Sequence, residues 1–179
     1  MVEQVTFQTI FQFLQTVGIL VGVYYYIMTI RANQRNQEIS IENRKAQLFM
    51  QLYLGLVSKE TLQRSMELLN MEWDDFDDFL NKYDSEVNIE DAAKRYSSWL
   101  ANDGLGYLLY HDLIDEDMAY WLGGSGLVRQ WYKWEPIIEE YRKRLNDPEL
   151  CFWFEYYVTR MKKLRDEKDL PEVLTSVRS

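Results

Sequence analysis

Residues 10–30 read IFQFLQTVGILVGVYYYIMTI, and this stretch decides how the chain is organised. No charged side chain occurs from Gln4 to Ile30, and eleven of the 21 residues quoted are Ile, Leu, Val or Phe. As a helix, the 21 residues rise about 31 Å, which matches the hydrocarbon core of a bilayer. The eleven apolar residues favour insertion by about 3–7 kcal/mol before the polar residues subtract from it. The sequence therefore predicts a single transmembrane helix within residues 1–30.

A cleavable signal peptide is the main alternative for this segment. It requires a basic start, a shorter apolar run and a small-residue cleavage site, whereas Glu3 is the only early charge and Arg31 follows the apolar run directly. Cytoplasmic flanks of a membrane span carry an excess of Lys and Arg. Residues 1–10 contain neither, while four basic residues follow the span: Arg31, Arg35, Arg44 and Lys45. We therefore expect a membrane protein whose C-terminal domain is cytoplasmic.

One face of the predicted transmembrane helix is small and polar. Gly18 and Gly22 have the G-x-x-x-G spacing that lets two helix backbones approach closely. Three amides fall on nearly the same face at four- and three-residue steps: Gln8, Gln12 and Gln15. The interpretation is that this face packs on another transmembrane helix, from a protein partner or a second copy of the chain. The alternative is a pair of glycines tolerated near a wet membrane edge.

Apolar residues recur at three- and four-residue steps through the rest of the chain, which predicts an all-α fold. Residues 31–57 are expected to continue the first helix as a juxtamembrane stalk. Residues 58–168 are predicted to form a multi-helix bundle, and residues 169–179 a mobile tail. Four residues have the type and position of helix N-caps: Ser58, Asn88, Asp115 and, ahead of a proline, Asp147.

Glycine and proline positions give further expectations about the bundle. Gly104 and Gly106 are predicted to let a neighbouring helix approach closely, with a helix break as the alternative. The run Gly123 to Gly126 is expected to end a short helix, and Pro136 to kink or divide the next one near Glu135.

The last two predicted helices carry apolar faces at alternating four- and three-residue steps. The first face consists of Leu127, Trp131, Trp134, Ile138, Tyr141 and Leu145. The second consists of Leu150, Phe154, Tyr157, Met161 and Leu164. Two antiparallel helices joined by a short connection follow from this pattern.

The chain is acidic, with 20 basic and 29 acidic residues and a net charge of −9, which argues against nucleic acid as a partner. Ten of the acids lie between Glu67 and Asp91, where Lys82 is the only basic residue. The glycine and terminal Glu spacing of an EF-hand is missing there, so no metal site is predicted. We expect a solvated helix face, with a docking surface for a basic partner as the alternative: Asp74, Asp75, Asp77 and Asp78.

Two residue counts limit the available chemistry. One cysteine, Cys151, excludes an intrachain disulfide and a thiolate zinc cluster, and one histidine, His111, excludes paired-imidazole metal sites. Cys151 is expected to be a buried small hydrophobe. Gly123 to Gly126 lacks the preceding strand and the Gly-Lys-Ser/Thr ending of a phosphate-binding loop. No catalytic residue, metal or cofactor is predicted, and an enzyme would have to use Asp and Glu in a deep pocket.

Six different short motifs lie along the chain: Arg44-Lys45-Ala46, Glu72-Trp73-Asp74-Asp75-Phe76, Leu113-Ile114-Asp115, the Gly-Gly run followed by Trp131 and Trp134, Pro136-Ile137-Ile138, and Trp153-Phe154-Glu155-Tyr156. On these, residues 44–165 resemble a family of uncharacterised, membrane-anchored helical proteins, a domain of unknown function. Asp112 stands where that family has glycine. The motifs are packing and capping residues, so the resemblance implies a helical fold and no activity.

These observations predict a non-catalytic, single-pass membrane protein whose bundle is an interaction or scaffold module, or an accessory subunit of a larger membrane assembly. A membrane-anchored signalling or regulatory module is the alternative, and a carboxylate-dependent enzyme is a third.

Overall fold

The computed structural model describes the backbone of residues 2–171 and 173, and the side chains of residues 6–171 and 173. Within these ranges the chain is all-α, as predicted, and contains no strand. The helices are α1 (Val2–Leu56), α2 (Lys59–Leu69), α3 (Phe76–Tyr83), α4 (Ile89–Tyr110), α5 (Glu116–Leu145) and α6 (Phe152–Glu167). Most of the predicted tail, 172 and 174–179, lies outside the described residues.

Contacts divide the chain into two compact units, Met1–Gln47 and Leu48–Ser179. In the first unit, every side chain from residue 6 to residue 47 is exposed. α1 continues without interruption through residue 56, so the predicted stalk is helical. The second unit contains the hydrophobic core and all of the remaining helices.

Three of the predicted N-caps are confirmed. The side chains of Ser58, Asn88 and Asp115 each accept a hydrogen bond from the backbone N–H three residues later, at 3.2, 3.1 and 2.8 Å. Each bond satisfies an N–H group that has no partner within its own helix. These caps fix where α2, α4 and α5 begin.

The fourth predicted cap is wrong, because the chain reverses direction in tight turns before α6. Asn146 and Cys151 both adopt the left-handed backbone conformation, with φ of 52° and 58°. Asp147 Oδ1 accepts from the Glu149 N–H at 3.2 Å within the intervening turn. The helix therefore begins at Phe152 rather than after Asp147.

The break in α5 lies at Gly123 and not at Pro136. Gly123 has φ 165° and ψ 21°, whereas the dihedral angles remain helical through Pro136. The predicted end of a short helix at the glycine run is therefore confirmed at Gly123, although the helix resumes at Gly124, and the predicted division of the helix near Glu135 is wrong. Pro136 costs one backbone hydrogen bond, but burial of the neighbouring Ile137 and Trp134 side chains holds the helix in place.

Gly106 brings α4 and α6 together. A Cβ atom at this position would overlap the backbone carbonyl of Trp153, so a side chain other than hydrogen does not fit. A Cβ atom at Gly104 would meet no atom within 4 Å. The predicted close approach is therefore confirmed at Gly106 and wrong at Gly104, and α4 is not broken at either residue.

Aromatic rings fill much of the core of the second unit. The Trp99 and Trp134 ring centroids lie 5.7 Å apart at 75°, and Trp73 stacks on Trp134 at 5.0 Å. The predicted apolar faces of α5 and α6 line this core through Leu127, Trp131, Trp134, Ile138, Tyr141, Phe154, Tyr157 and Met161, all of them buried. Leu145 is 60% exposed, so the buried face of α5 ends at Tyr141 and does not include Leu145 as predicted.

Candidate functional site

The apolar part of α1 is exposed along its length. Within the described residues, one helix is long and apolar enough to cross a membrane; its most apolar 18-residue window has a mean hydropathy of 1.6 and no buried residue. The Thr16 and Thr29 hydroxyls donate to the carbonyls of Gln12 and Tyr25, at 2.9 Å each. These bonds satisfy the two hydroxyls within the helix, which lowers their cost in an apolar medium.

The five residues of the predicted packing face lie on α1: Gln8, Gln12, Gln15, Gly18 and Gly22. A Cβ atom at either glycine would meet nothing within 4 Å, so the space beside both is open. The helix geometry places the set along one side, and its role in helix packing stays a prediction.

Two of the predicted docking acids organise the start of α3. Asp75 caps the helix by accepting from the Asp78 N–H at 2.8 Å, and Asp78 Oδ2 accepts from the Asp74 N–H at 3.0 Å. The same Asp78 oxygen lies 2.7 Å from Lys82 Nζ. The bond from Lys82, followed by the one from the Asp74 N–H, holds the pKa of the Asp78 carboxyl below its usual range.

A third docking acid, Asp77, pairs with α5. Its Oδ1 lies 3.1 Å from Arg144 Nη2, and the Arg144 guanidinium also lies 4.4 Å from the Phe76 ring centroid. Asp75, Asp77 and Asp78 therefore already have partners inside the chain, although Asp77 remains exposed. The docking of a basic partner on these acids stays a prediction.

Beside these carboxylates lies an open cleft of about 590 Å³. It is lined by Leu69, Glu72, Trp73, Asp74, Lys82, Tyr132 and Lys133. The lining comes from the end of α2, the segment that leads into α3, α3 itself and α5. This cleft could not be predicted from the sequence, because its residues belong to segments separated by about sixty positions and share no motif.

Lys133 is half-buried in the cleft. Its ammonium donates to the Met71 carbonyl and lies 4.2 Å from the centroid of the Trp73 ring. Burial lowers the pKa of Lys133, against the opposing charge of Glu72. Lys82 behaves in the opposite way, because its hydrogen bond to Asp78 raises its pKa.

A buried arginine on α4 connects this helix to α3 and α5. Arg95 is fully buried and donates to the Tyr83 carbonyl at 3.0 Å and to the Tyr141 hydroxyl at 3.3 Å. The Tyr141 hydroxyl in turn donates to Asp84 Oδ1 at 2.9 Å. Burial, opposed by the charge of Arg95, raises the pKa of Tyr141.

Aromatic faces surround the Arg95 guanidinium, whose Cζ lies 4.8–5.6 Å from four ring centroids: Phe79, Tyr96, Trp99 and Tyr141. This cage stabilises a charge that has no carboxylate of the described residues in direct contact. The sequence contained a signal for it, since Ala92, Arg95 and Trp99 follow one another at three- and four-residue steps and so share one face of a helix.

Cys151 and His111, the only cysteine and the only histidine of the chain, both lie in environments typical of a structural role. Cys151 is buried, and burial followed by the charge of Asp103 raises its pKa to about 12, so the thiol is held protonated. His111 caps the end of α4 with its ring centroid 4.2 Å from that of Tyr107. Among the described residues, no three His, Cys, Asp or Glu side chains are grouped to hold a metal ion.

The structure thus defines an all-α protein that combines a long, exposed, apolar N-terminal helix with an aromatic-cored helical domain. Residues 12–161 match a family model described as a domain of unknown function, DUF4760. The chain belongs to this family, which confirms the resemblance to a family without an assigned activity. The match begins inside the apolar part of α1 and ends within α6. No curated protein and no solved structure matches the chain.

Proposed function

We propose that this chain is a single-pass membrane protein whose helical domain is a non-catalytic interaction module or an accessory subunit of a larger membrane assembly. In this proposal residues 10–30 of α1 cross the bilayer. The observation that carries it is the combination, in one helix, of an uncharged apolar run and full exposure of its side chains.

The exposed apolar surface of α1 needs an apolar environment. Phe13, Ile19 and Tyr25 are 68%, 66% and 73% exposed, and their neighbours are similarly uncovered. Each Å² of such surface costs about 25 cal/mol in water, and lipid removes this cost. A core helix of a soluble protein is mostly buried, whereas the most apolar window of α1 has no buried residue.

The family match supports a permanent helix rather than a removed leader. A signal peptide precedes the mature domain, but the matched residues 12–161 include most of the apolar run together with the helical domain. The basic residues after the run support a cytoplasmic helical domain: Arg31, Arg35, Arg44 and Lys45. Tyr24, Tyr25 and Tyr26 lie toward the same end, where phenol rings reach the headgroup level.

The proposed partner contacts are the small and polar face of α1 and the acidic residues around α3. The open space beside Gly18 and Gly22 accommodates a close helix, and the glutamine amides of Gln8, Gln12 and Gln15 supply hydrogen bonds across such an interface. Gly18→Ile with Gly22→Ile is expected to weaken crosslinking to a partner or second copy in native membranes, while Val17→Ile with Val21→Ile leaves it intact. Unchanged crosslinking of the glycine variant contradicts this part of the proposal.

One observation favours a regulatory module as the second candidate. α1 is unbroken, and its last turns pack on the core of the helical domain through Leu48, Phe49, Leu52 and Leu56. A change in the association or rotation of the membrane segment therefore reaches that core through a continuous helix. Asn36→Pro interrupts the helix but leaves the membrane segment in place. The variant should therefore impair a regulatory function that acts through the continuous helix, but not membrane anchoring.

Extraction of membranes tests the proposal directly. The full chain is expected to sediment with membranes and to resist alkaline carbonate, and Leu14→Asp with Leu20→Asp is expected to release it, because charges at mid-bilayer are costly. The matched control places the same two aspartates in the stalk, at Gln34 and Gln37, and should stay in the pellet. Intact chain in the supernatant, with its N-terminus uncut, contradicts the proposal.

A further inference from the structure

The last turns of α1 have two apolar faces, and one of them is exposed. The first face packs on the core of the helical domain through four residues: Leu48, Phe49, Leu52 and Leu56. On the second face Met50, Tyr53 and Leu54 are 49%, 39% and 59% exposed. The end of α1 therefore presents an apolar side beyond the one that its own domain covers.

The spacing of this exposed face continues along the sequence of α1 before residue 48. Alternating steps of four and three residues back from Met50 reach six uncharged residues: Ala46, Asn43, Ile39, Asn36, Ala32 and Thr29. All six are exposed. The Thr29 hydroxyl donates to the Tyr25 carbonyl at 2.9 Å, so it is satisfied within its own helix. Uncharged residues in a seven-residue repeat are typical of the contact face of a coiled coil.

The charged residues of the same segment lie off this face: Arg31, Arg35, Glu38, Glu42, Arg44 and Lys45. In heptad terms, Asn36 and Asn43 occupy a positions, and Ile39 and Ala46 occupy d positions. The flanking g positions carry Arg35 and Glu42, and the e positions that face them across a parallel pair carry Ser40 and Gln47. A parallel pair of these helices therefore has an uncharged contact face and no like charges facing each other at its edges.

The two asparagines favour a second copy of the chain as the partner. Residues at a positions lie opposite each other in a parallel two-helix coiled coil, and an asparagine there selects register and two strands. A buried amide needs both a donor and an acceptor, and the same asparagine of an identical helix supplies them. A second copy in register brings Asn36 to Asn36 and Asn43 to Asn43, seven residues apart on both helices.

We propose that α1 pairs with α1 of a second copy of this chain as a parallel, left-handed coiled coil through residues 29–46. The parallel direction rests on the proposed function, because two copies that cross one membrane in the same orientation have parallel α1 helices. The same steps lead back through Tyr25 to Gly22 and Gly18. The inference thus names the partner and the contact face outside the apolar run.

Cysteine crosslinking in isolated membranes tests the pairing. In a Cys151→Ala background, a single cysteine replaces each residue from 32 to 46 in turn, and a short bismaleimide links cysteines that lie close together. A parallel pair brings identical positions together, so a product of twice the chain mass should peak at positions 32, 36, 39, 43 and 46. Yields at positions 34 and 41, on the outer face, should be at least about fivefold lower. Equal or absent product at all positions, a peak on another face, or a product of another mass overturns the proposal.

Two isoleucines provide a matched pair of variants. Ile39 and Ile41 are 46% and 56% exposed, so substitution of either should have a similar effect on a single chain. In the proposed pair Ile39 lies in the interface, whereas Ile41 occupies an f position on the outer face. With Ala46→Cys as the reporter, Ile39→Asp should lower the crosslinked yield at least about tenfold, because it brings two like charges together. Ile41→Asp should leave the yield unchanged, and equal effects of the two substitutions overturn the proposal.

Carbonate extraction of the same membranes separates this inference from the proposed function. A chain that resists extraction without periodic crosslinks overturns the pairing and supports the anchor. Periodic crosslinks in a chain that carbonate releases support the pairing and contradict the anchor.

Discussion

The Asp103 carboxylate on α4 accepts a hydrogen bond from the Phe154 N–H in the first turn of α6, at 2.9 Å. Cys151, at the N-cap position of α6, makes no side-chain cap bond. Asp103 therefore caps the N-terminus of α6 from a different helix. Its negative charge also complements the positive end of the α6 dipole.

Removal of this interhelical cap is expected to destabilise the helical domain. Asp103→Ala leaves the Phe154 N–H without its acceptor and should lower the free energy of unfolding by about 1–2 kcal/mol. Asp103→Asn keeps an acceptor and should cost less. Urea unfolding followed by circular dichroism measures both changes, with Glu38→Ala on the exposed part of α1 as the control. Equal stability of the Ala variant and the parent protein contradicts the capping role.

Two glycines two residues apart on α4 are predicted to respond in opposite directions. Gly106→Ala places a Cβ atom against the Trp153 carbonyl, which forces α4 and α6 apart and should cost at least about 1–3 kcal/mol. Gly104→Ala has open space and should stabilise the helix by about 0.5–1 kcal/mol. The midpoints of thermal unfolding of the two variants measure both changes in stability. Similar shifts for the two variants are inconsistent with the packing described.

The buried guanidinium of Arg95 depends on the Tyr141 hydroxyl. Tyr141→Phe removes one acceptor from Arg95 and the donor to Asp84, with little change in volume. A buried donor left without its partner costs about 1–3 kcal/mol, so the variant should unfold at lower urea concentration. Tyr110→Phe, on a ring that is 51% exposed, is the control and should change stability by less than about 0.5 kcal/mol. If Tyr141→Phe loses no more stability than Tyr110→Phe, the hydrogen bonds of the Tyr141 hydroxyl do not stabilise the fold.

The ion pair between Asp78 and Lys82 should account for part of the stability that the helical domain loses at low pH. Because the pKa of Asp78 is lower in the folded chain than its usual value, its contribution to stability is present above about pH 4 and is lost as the pH falls through the folded value. Asp78→Asn should therefore lose less stability than the parent between pH 5 and pH 3. Lys82→Met removes the larger cause of the lowered Asp78 pKa and should also reduce the slope, but by less than Asp78→Asn, because the Asp74 N–H still binds the carboxylate. Urea unfolding curves at each pH measure the free energy of unfolding. Equal pH dependence of this free energy in all three proteins contradicts the prediction.

Local patterns in the sequence predicted the helices well. The caps at Ser58, Asn88 and Asp115 depend on side-chain chemistry within four residues, and so does the stepping of apolar residues in α5 and α6. Errors occurred where tertiary packing overrides local preference. Pro136 remains inside a helix because its neighbours are buried, and α6 is capped by Asp103 from another helix.

The candidate sites were predictable to different degrees. The apolar run of α1 is a local property, so its helix and exposure could be predicted from the sequence. The acidic residues around α3 were also recognised as a charged face. The cleft was not, because Trp73 and Lys133 meet only when α5 packs beside the segment before α3. Contacts between distant segments have no signature in a single sequence.

Labelling of cysteines on either side of the apolar run tests the central claim most directly. In a Cys151→Ala background, Gln8→Cys precedes the proposed span and Gln34→Cys follows it. We expect a membrane-impermeant maleimide to label position 8 on intact cells and position 34 only after the membrane is opened. Labelling of both positions from the same side contradicts a single crossing by α1.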